Sequence, residues 1–134
     1  MAPEATLPAD RTPTDVASLL KRPFAANVIK QRQIAGRNVD YISIDDVIER
    51  LNKSCLEWHW NIQNVQIIDM PLKRREGTVD TPVAQVIGTL EIPGLGKRQG
   101  IGTSPLEGNE DATKAAASDA LKKAASLFGV PGGR

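Results

Sequence analysis

The chain is poor in cysteine, in histidine, in aromatic residues and in net charge, and each shortage excludes something. Cys55 is the only cysteine in 134 residues, which rules out an intrachain disulfide and a cysteine-rich zinc site. His59 is the only histidine; it lies between Trp58 and Trp60 on a predicted strand and reads as a surface or core position. Aromatic residues make up 4% of the chain, and at this spacing the two tryptophans read as core. Seventeen basic residues stand against 16 acidic ones, a net charge of +1. The chain is not basic overall, so any contact with nucleic acid must come from local patches or from many subunits acting together. No apolar run is long enough for a membrane helix. The N-terminus lacks a basic segment followed by an apolar one, so no signal peptide is expected, and a cytoplasmic protein is the default.

What is present suits a single soluble domain with an ordinary apolar share of 40% and charged share of 25%. Residues 1–11, with Pro3 and Pro8, read as a disordered tail, and 12–134 as the domain. Thr12-Pro13-Thr14-Asp15 is a helix start with Thr12 as cap, and Pro23 ends that helix. Ala26 to Ser43 reads as a hairpin turning at Ala35-Gly36-Arg37-Asn38, with Val28 and Ile34 in the first strand and Arg32, Arg37 and Tyr41 near one end. Ser43 caps a helix running to Cys55, with Ile44, Val47, Ile48, Leu51 and Cys55 on its buried face. Trp58 to Asp69 is a strand whose apolar phase changes, which calls for a bulge near Gln63-Asn64. Met70 to Thr81 reads as a polar loop carrying Lys73, Arg74 and Arg75. Thr81 to Ile92 is a strand, apolar on both sides. Lys97 to Thr103, with Arg98, is a shorter one, where Gly100 and Gly102 mark a bend or a close approach.

The longest helical pattern runs from Asn109 to Gly129, about five turns. Asn109 is the expected cap, with Glu110 and Asp111 in the first turn and Gly129 and Pro131 as stop signals. Ala117, Leu121, Ala124 and Phe128 make its apolar stripe, with small alanines beside it. Opposite lie Lys114, Ser118 and Lys122, with Lys123 adjacent. The expected class is α+β: a twisted antiparallel sheet built from a hairpin and, after a helix, three strands, packed by the long C-terminal helix, with the other face or a groove at the sheet's edge free to bind.

These side chains admit two readings each. Lys114, Lys122 and Lys123 fit phosphate contacts, and equally a solvated face on which Asp119 and Lys123 form an ordinary i,i+4 pair. Arg32, Arg37 and Tyr41 fit a groove for single-stranded nucleic acid, or a plain surface hairpin. Lys73, Arg74 and Arg75 suit a second phosphate patch or a polar loop, and Lys97 and Arg98 are further candidate DNA contacts. Asp45, Asp46 and Glu49 fit a helix start better than a metal site. Gly94-Leu95-Gly96 and Gly100-Ile101-Gly102 do not join a strand to a helix, so no nucleotide fingerprint is formed. No nucleophile–base pair stands out, and neither enzyme activity nor a cofactor is expected.

The segment GIGTSPLEGNEDATKAAASDALKKAASLFGVPGG resembles the end of the annealing domain of the Rad52 family and its DdrA-type relatives. RQIAGRNVDYIS resembles that family's hairpin of arginine, glycine turn and tyrosine, and WHWNIQNVQIID its polar strand; the resemblance spans Ser18 to Gly129. It implies a protein of recombination and DNA repair that anneals single strands without ATP, as a homo-oligomeric ring of roughly ten subunits. A recombinase or single-strand-binding protein is a further implied partner. The hairpin and long helix of the family bound a positive groove that holds the strand backbone inward and bases outward. Lys122 and Lys123 match its basic pair, Arg32 and Tyr41 its hairpin residues, and Lys73, Arg74 and Arg75 fall where an outer DNA site is carried. Where some members have another arginine one turn after the basic pair, this chain has Ser126. The alternative is a double-stranded RNA-binding module, whose lysines gather at the start of the last helix; here that end carries Glu110 and Asp111.

Overall fold

The structure, a computed structural model, describes residues 11–34, 36–108 and 110–132. Helix α1 (Pro13–Lys21) begins with a reciprocal capping box: Asp15 N–H donates to Thr12 Oγ1, and Thr12 N–H to Asp15 Oδ2, each at 3.1 Å. Of the expected tail, only Arg11 is among the described residues, and its guanidinium donates to the carbonyls of Lys53 and Ser54. Strands β1 (Lys30–Ile34) and β2 (Arg37–Tyr41) form a two-stranded antiparallel hairpin. Helix α2 (Ile44–Ser54) is capped by Ser43, as its sequence implies, with Asp45 and Asp46 in its first turn. Arg50 ties α2 to the end of α1: its guanidinium lies 4.1 Å from the Phe24 ring and donates to the carbonyls of Leu20 and Arg22.

Strands β3 (His59–Arg74), β4 (Gly77–Ile92) and β5 (Gly96–Pro105) make a second sheet, antiparallel in the order β3-β4-β5. The expected bulge is present: the β3–β4 register shifts between Ile62 and Asn64. Helix α3 (Ala112–Leu127) lies across β4 and β5. One core gathers Val16, Leu20, Val47, Leu51, Leu90, Ile92, Leu121 and Phe128 from α1, α2, β4 and α3. A smaller one sets Ala112, Ala116 and Ala120 of α3 over Ala84 and Val86 of β4.

The spacing of α3 from the sheet is set by two glycines. A Cβ built on Gly100 would meet the Ala120 carbonyl oxygen at 2.0 Å, and one on Gly102 the Ala116 carbonyl oxygen at 2.1 Å. The helix backbone therefore rests directly on β5, the close approach expected of these positions. That contact also rotates the helix from its expected setting. Its smallest residues, Ala116, Ala120 and Ala124, turn inward beside Leu121 and Phe128, while Ala117 is only half-buried and Ala115 is exposed.

The expected α+β class holds, with the hairpin as a two-stranded sheet of its own beside the three-stranded one among the described residues. Other expectations need correction. Ile34 pairs with Arg37, so Arg37 and Asn38 belong to β2 rather than to the turn, and Val28 lies in a turn before β1. Ala35 lies outside the described residues. The polar loop expected over Met70–Thr81 is the tip of a long hairpin, because Met70 pairs with Thr81, Leu72 with Val79 and Arg74 with Gly77. Asn109, the expected cap of α3, also lies outside the described residues. The helix itself starts at Ala112 with Asp111 at the cap position, so no acidic residue occupies its first turn. At the other end Gly129 takes φ of 102° and Val130 N–H reaches back to the Ala125 carbonyl, the stop that Gly129 implies.

Candidate nucleic-acid interface

The face of the β1–β2 hairpin follows from its register. Lys30 pairs with Tyr41, Arg32 with Val39 and Ile34 with Arg37, so these six side chains share one face while Gln31, Gln33, Asn38 and Asp40 share the other. On α3, Lys114, Ser118 and Lys122 recur at i, i+4 and i+8 and share a stripe opposite the buried alanines. The fold turns these two faces toward each other. Between them lies a groove of about 520 Å3, bounded by Arg32 and Tyr41, by Ser43 and Ile44 at the start of α2, by the end of β5, and by Ser118, Asp119 and Lys122.

Inside the groove two cations converge on one ring. The Arg32 guanidinium carbon lies 5.2 Å from the Tyr41 ring centre and the Lys122 ammonium 5.9 Å from it. These groups come from strands and a helix about 80 to 90 residues apart in sequence. The Lys122 pKa is lowered, chiefly because burial removes water from the ammonium and next because Arg32 repels it; Asp119 acts the other way. Cationic side chains are thus held together against their own repulsion on an open surface, an arrangement that an incoming anion relieves.

Lys123 lies beside this site in a different state. Its ammonium pairs with Asp119 Oδ2 at 3.0 Å, and the same oxygen accepts from the Thr103 backbone N–H at 3.2 Å, so the i,i+4 pair weighed in the sequence is formed. Lys114 is exposed, farther along the same stripe of α3. Ser126 donates to the Lys123 carbonyl at 2.6 Å, closing the last turn of the helix where an arginine would have added charge.

The remaining candidates lie elsewhere. Arg37 shares the hairpin face but stands at its turn end, about 13 Å along β2 from Tyr41. Lys73, Arg74 and Arg75 cluster at the tip of the β3–β4 hairpin, where Arg74 pairs with Glu107 at 3.2 Å. Lys97 and Arg98 begin β5, about 17–20 Å along the strand from Thr103; Arg98 covers the Phe128 ring at 5.3 Å. Asp46 is held by Ser43 at 2.7 Å and Glu49 by Lys53 at 2.7 Å, each engaged locally in α2. Lys30 is a cation on the groove-side face of the hairpin that the sequence reading passes over. The signal for it is the register, which is fixed once Ile34 is set opposite Arg37.

A family model described as the Rad52/22 family of double-strand break repair proteins matches residues 12–134, a wider span than the Ser18–Gly129 of the resemblance. No curated protein sequence matches the chain significantly. With the family match running from the cap of α1 to the C-terminal arginine, the chain belongs to the Rad52/22 family of double-strand break repair proteins.

Proposed function

We propose that the protein binds single-stranded DNA in the groove between the β1–β2 hairpin and α3, and anneals complementary strands as a homo-oligomeric ring without nucleotide hydrolysis. The observation that carries this reading is the convergence of Arg32 and Lys122 on Tyr41. Burial is the chief cause of the lowered Lys122 pKa and repulsion by Arg32 the next; a phosphate seated near both cations offsets that repulsion. Tyr41 offers a flat surface to a sugar or base, and Lys30, Arg37, Lys114 and Lys123 extend the positive track. With the backbone inward, the pairing edges of the bases stay free. Pairing with a second strand then supplies the free energy, so no ATP is needed. Lys73, Arg74 and Arg75, at the tip of the β3–β4 hairpin, suit a second, outer strand.

Oligomerisation is supported by the sheet. Ile62, Val65 and Ile67 of β3 pair with Gly88, Val86 and Ala84, and so lie on the face that α3 covers. The helix stops short of β3, which leaves these three side chains 46%, 50% and 55% exposed on a strand that, among the described residues, forms one edge of its sheet. An apolar row of this kind marks an interaction surface. A second copy fits a chain whose charge is only +1, because each subunit grips few phosphates and a closed ring multiplies them.

The test compares binding of single-stranded DNA, duplex DNA and duplex RNA, alongside particle mass and annealing rate without ATP. The reading expects preference for single strands, a multimeric mass and ATP-independent annealing. A preference for duplex RNA returns the alternative module, and a monomer indifferent to single strands removes the proposal.

A further inference from the structure

Within the cationic groove one group has the wrong sign. Asp119 lines it from α3, and a single oxygen, Oδ2, is held by the Thr103 backbone N–H at 3.2 Å and by the Lys123 ammonium at 3.0 Å. A backbone amide at a strand edge and a lysine ammonium are the kinds of donor that hold phosphate oxygens. Asp119 therefore occupies two donors, Thr103 in the groove wall and Lys123 beside it, of the kind that hold a strand's phosphates. The pair is only partly shielded, with side chains 45% and 27% exposed for Lys123 and Asp119, so exchange of one anion for another is not blocked by burial.

We propose that Asp119 is the residue that sets how tightly the groove grips a strand: it stands in for a phosphate in the empty protein and competes with one in the bound state. This rests on the single-strand-binding reading above and adds a role to it. In the empty groove the carboxylate offsets the mutual repulsion of Lys122 and Arg32. In the filled groove it faces the DNA backbone, weakens the hold, and keeps Lys123 shared between protein and DNA. An annealing protein needs such a limit, since the strand it grips must also be released as duplex.

The experiment measures affinity, dissociation rate and salt dependence for a labelled thymidine oligonucleotide with the native protein, Asp119→Asn, Lys123→Ala and the double variant. Asparagine keeps an acceptor for Thr103 N–H and removes the charge. Asp119→Asn is expected to bind about three- to tenfold tighter, to dissociate more slowly, and to show a steeper fall of affinity with salt as Lys123 is freed for phosphate. Most of that gain should be lost in the Lys123→Ala background. Equal or weaker binding by folded Asp119→Asn overturns the proposal, as does a gain of the same size with and without Lys123. If Asp119→Asn does not fold, Lys123→Ala alone decides. It strands the Asp119 charge in the groove and should weaken binding more than Lys114→Ala; equal losses overturn the proposal. Failure of the underlying reading looks different, because the native protein itself would then ignore single-stranded DNA.

Discussion

Lys122 carries the clearest pH signal, because partial burial and, after it, the neighbouring Arg32 push its pKa below the usual lysine value while Asp119 opposes them. The sign of its effect reverses on binding. In the free protein the lowered pKa means that the unfolded chain holds the proton more tightly. Folding stability from this group therefore rises with pH as Lys122 discharges, between its lowered pKa and the usual lysine value. DNA binding adds an anion that favours the charged form, so affinity falls as pH rises through that same window. Titrating an adenine oligonucleotide, whose bases do not ionise there, should show weakening at alkaline pH that begins below the ordinary lysine range. Lys122→Arg, which stays protonated, should remove most of that limb; an unchanged profile would show that Lys122 does not touch the strand. Tyr41→Ala tests the ring on which the two cations converge. Losing the stacking surface should cost about 1–3 kcal/mol of single-strand affinity, read by fluorescence anisotropy.

At the scale of elements, the position of Lys122 depends on how closely α3 sits on β5. Gly102→Ala puts a methyl 2.1 Å from the Ala116 carbonyl oxygen and 2.3 Å from the Ala120 nitrogen, both backbone atoms that cannot swing aside. The helix must lift, at a cost of about 1–3 kcal/mol or more, visible as a lowered thermal midpoint together with weakened DNA binding. Gly77→Ala is the control. Its φ of 119° strains the new residue, but nothing lies within 4 Å, so stability should fall without a matching change in the groove. The close approach at Gly100 and Gly102, the caps at Thr12 and Ser43 and the bulge at Gln63-Asn64 were legible because each has a local cause in neighbouring residues. The tip of the β3–β4 hairpin was not. Pro71 and three consecutive basic residues look like a loop until Leu72 is seen opposite Val79. The α3 start was misplaced for a related reason: Asn109, Glu110 and Asp111 are all good first-turn or cap residues, and local propensity does not choose among them.

At the scale of the whole molecule, the groove itself could not be read from periodicity. Arg32, Tyr41 and Lys122 are ordinary surface residues in their own segments, and only the packing of α3 on the sheet with the hairpin standing opposite brings them within reach of one another. The family resemblance supplied that juxtaposition. The bare β3 row was likewise hidden, because Ile62, Val65 and Ile67 look like core until α3 is found to stop short of them. Val65→Glu with Ile67→Glu should leave the secondary structure intact, shift sedimentation toward the single-subunit mass, and lower single-strand affinity on the order of a hundredfold through loss of multivalency.

The central claim, that the groove between hairpin and helix grips the DNA backbone, is tested most directly by the salt dependence of single-stranded DNA affinity in the native protein and in Arg32→Ala with Lys122→Ala. The native protein should give a linear fall of log affinity with log salt; the double variant, folded and assembled, should bind more weakly with a shallower slope, because fewer phosphates are neutralised per subunit. The same slope and the same affinity in both proteins would contradict it.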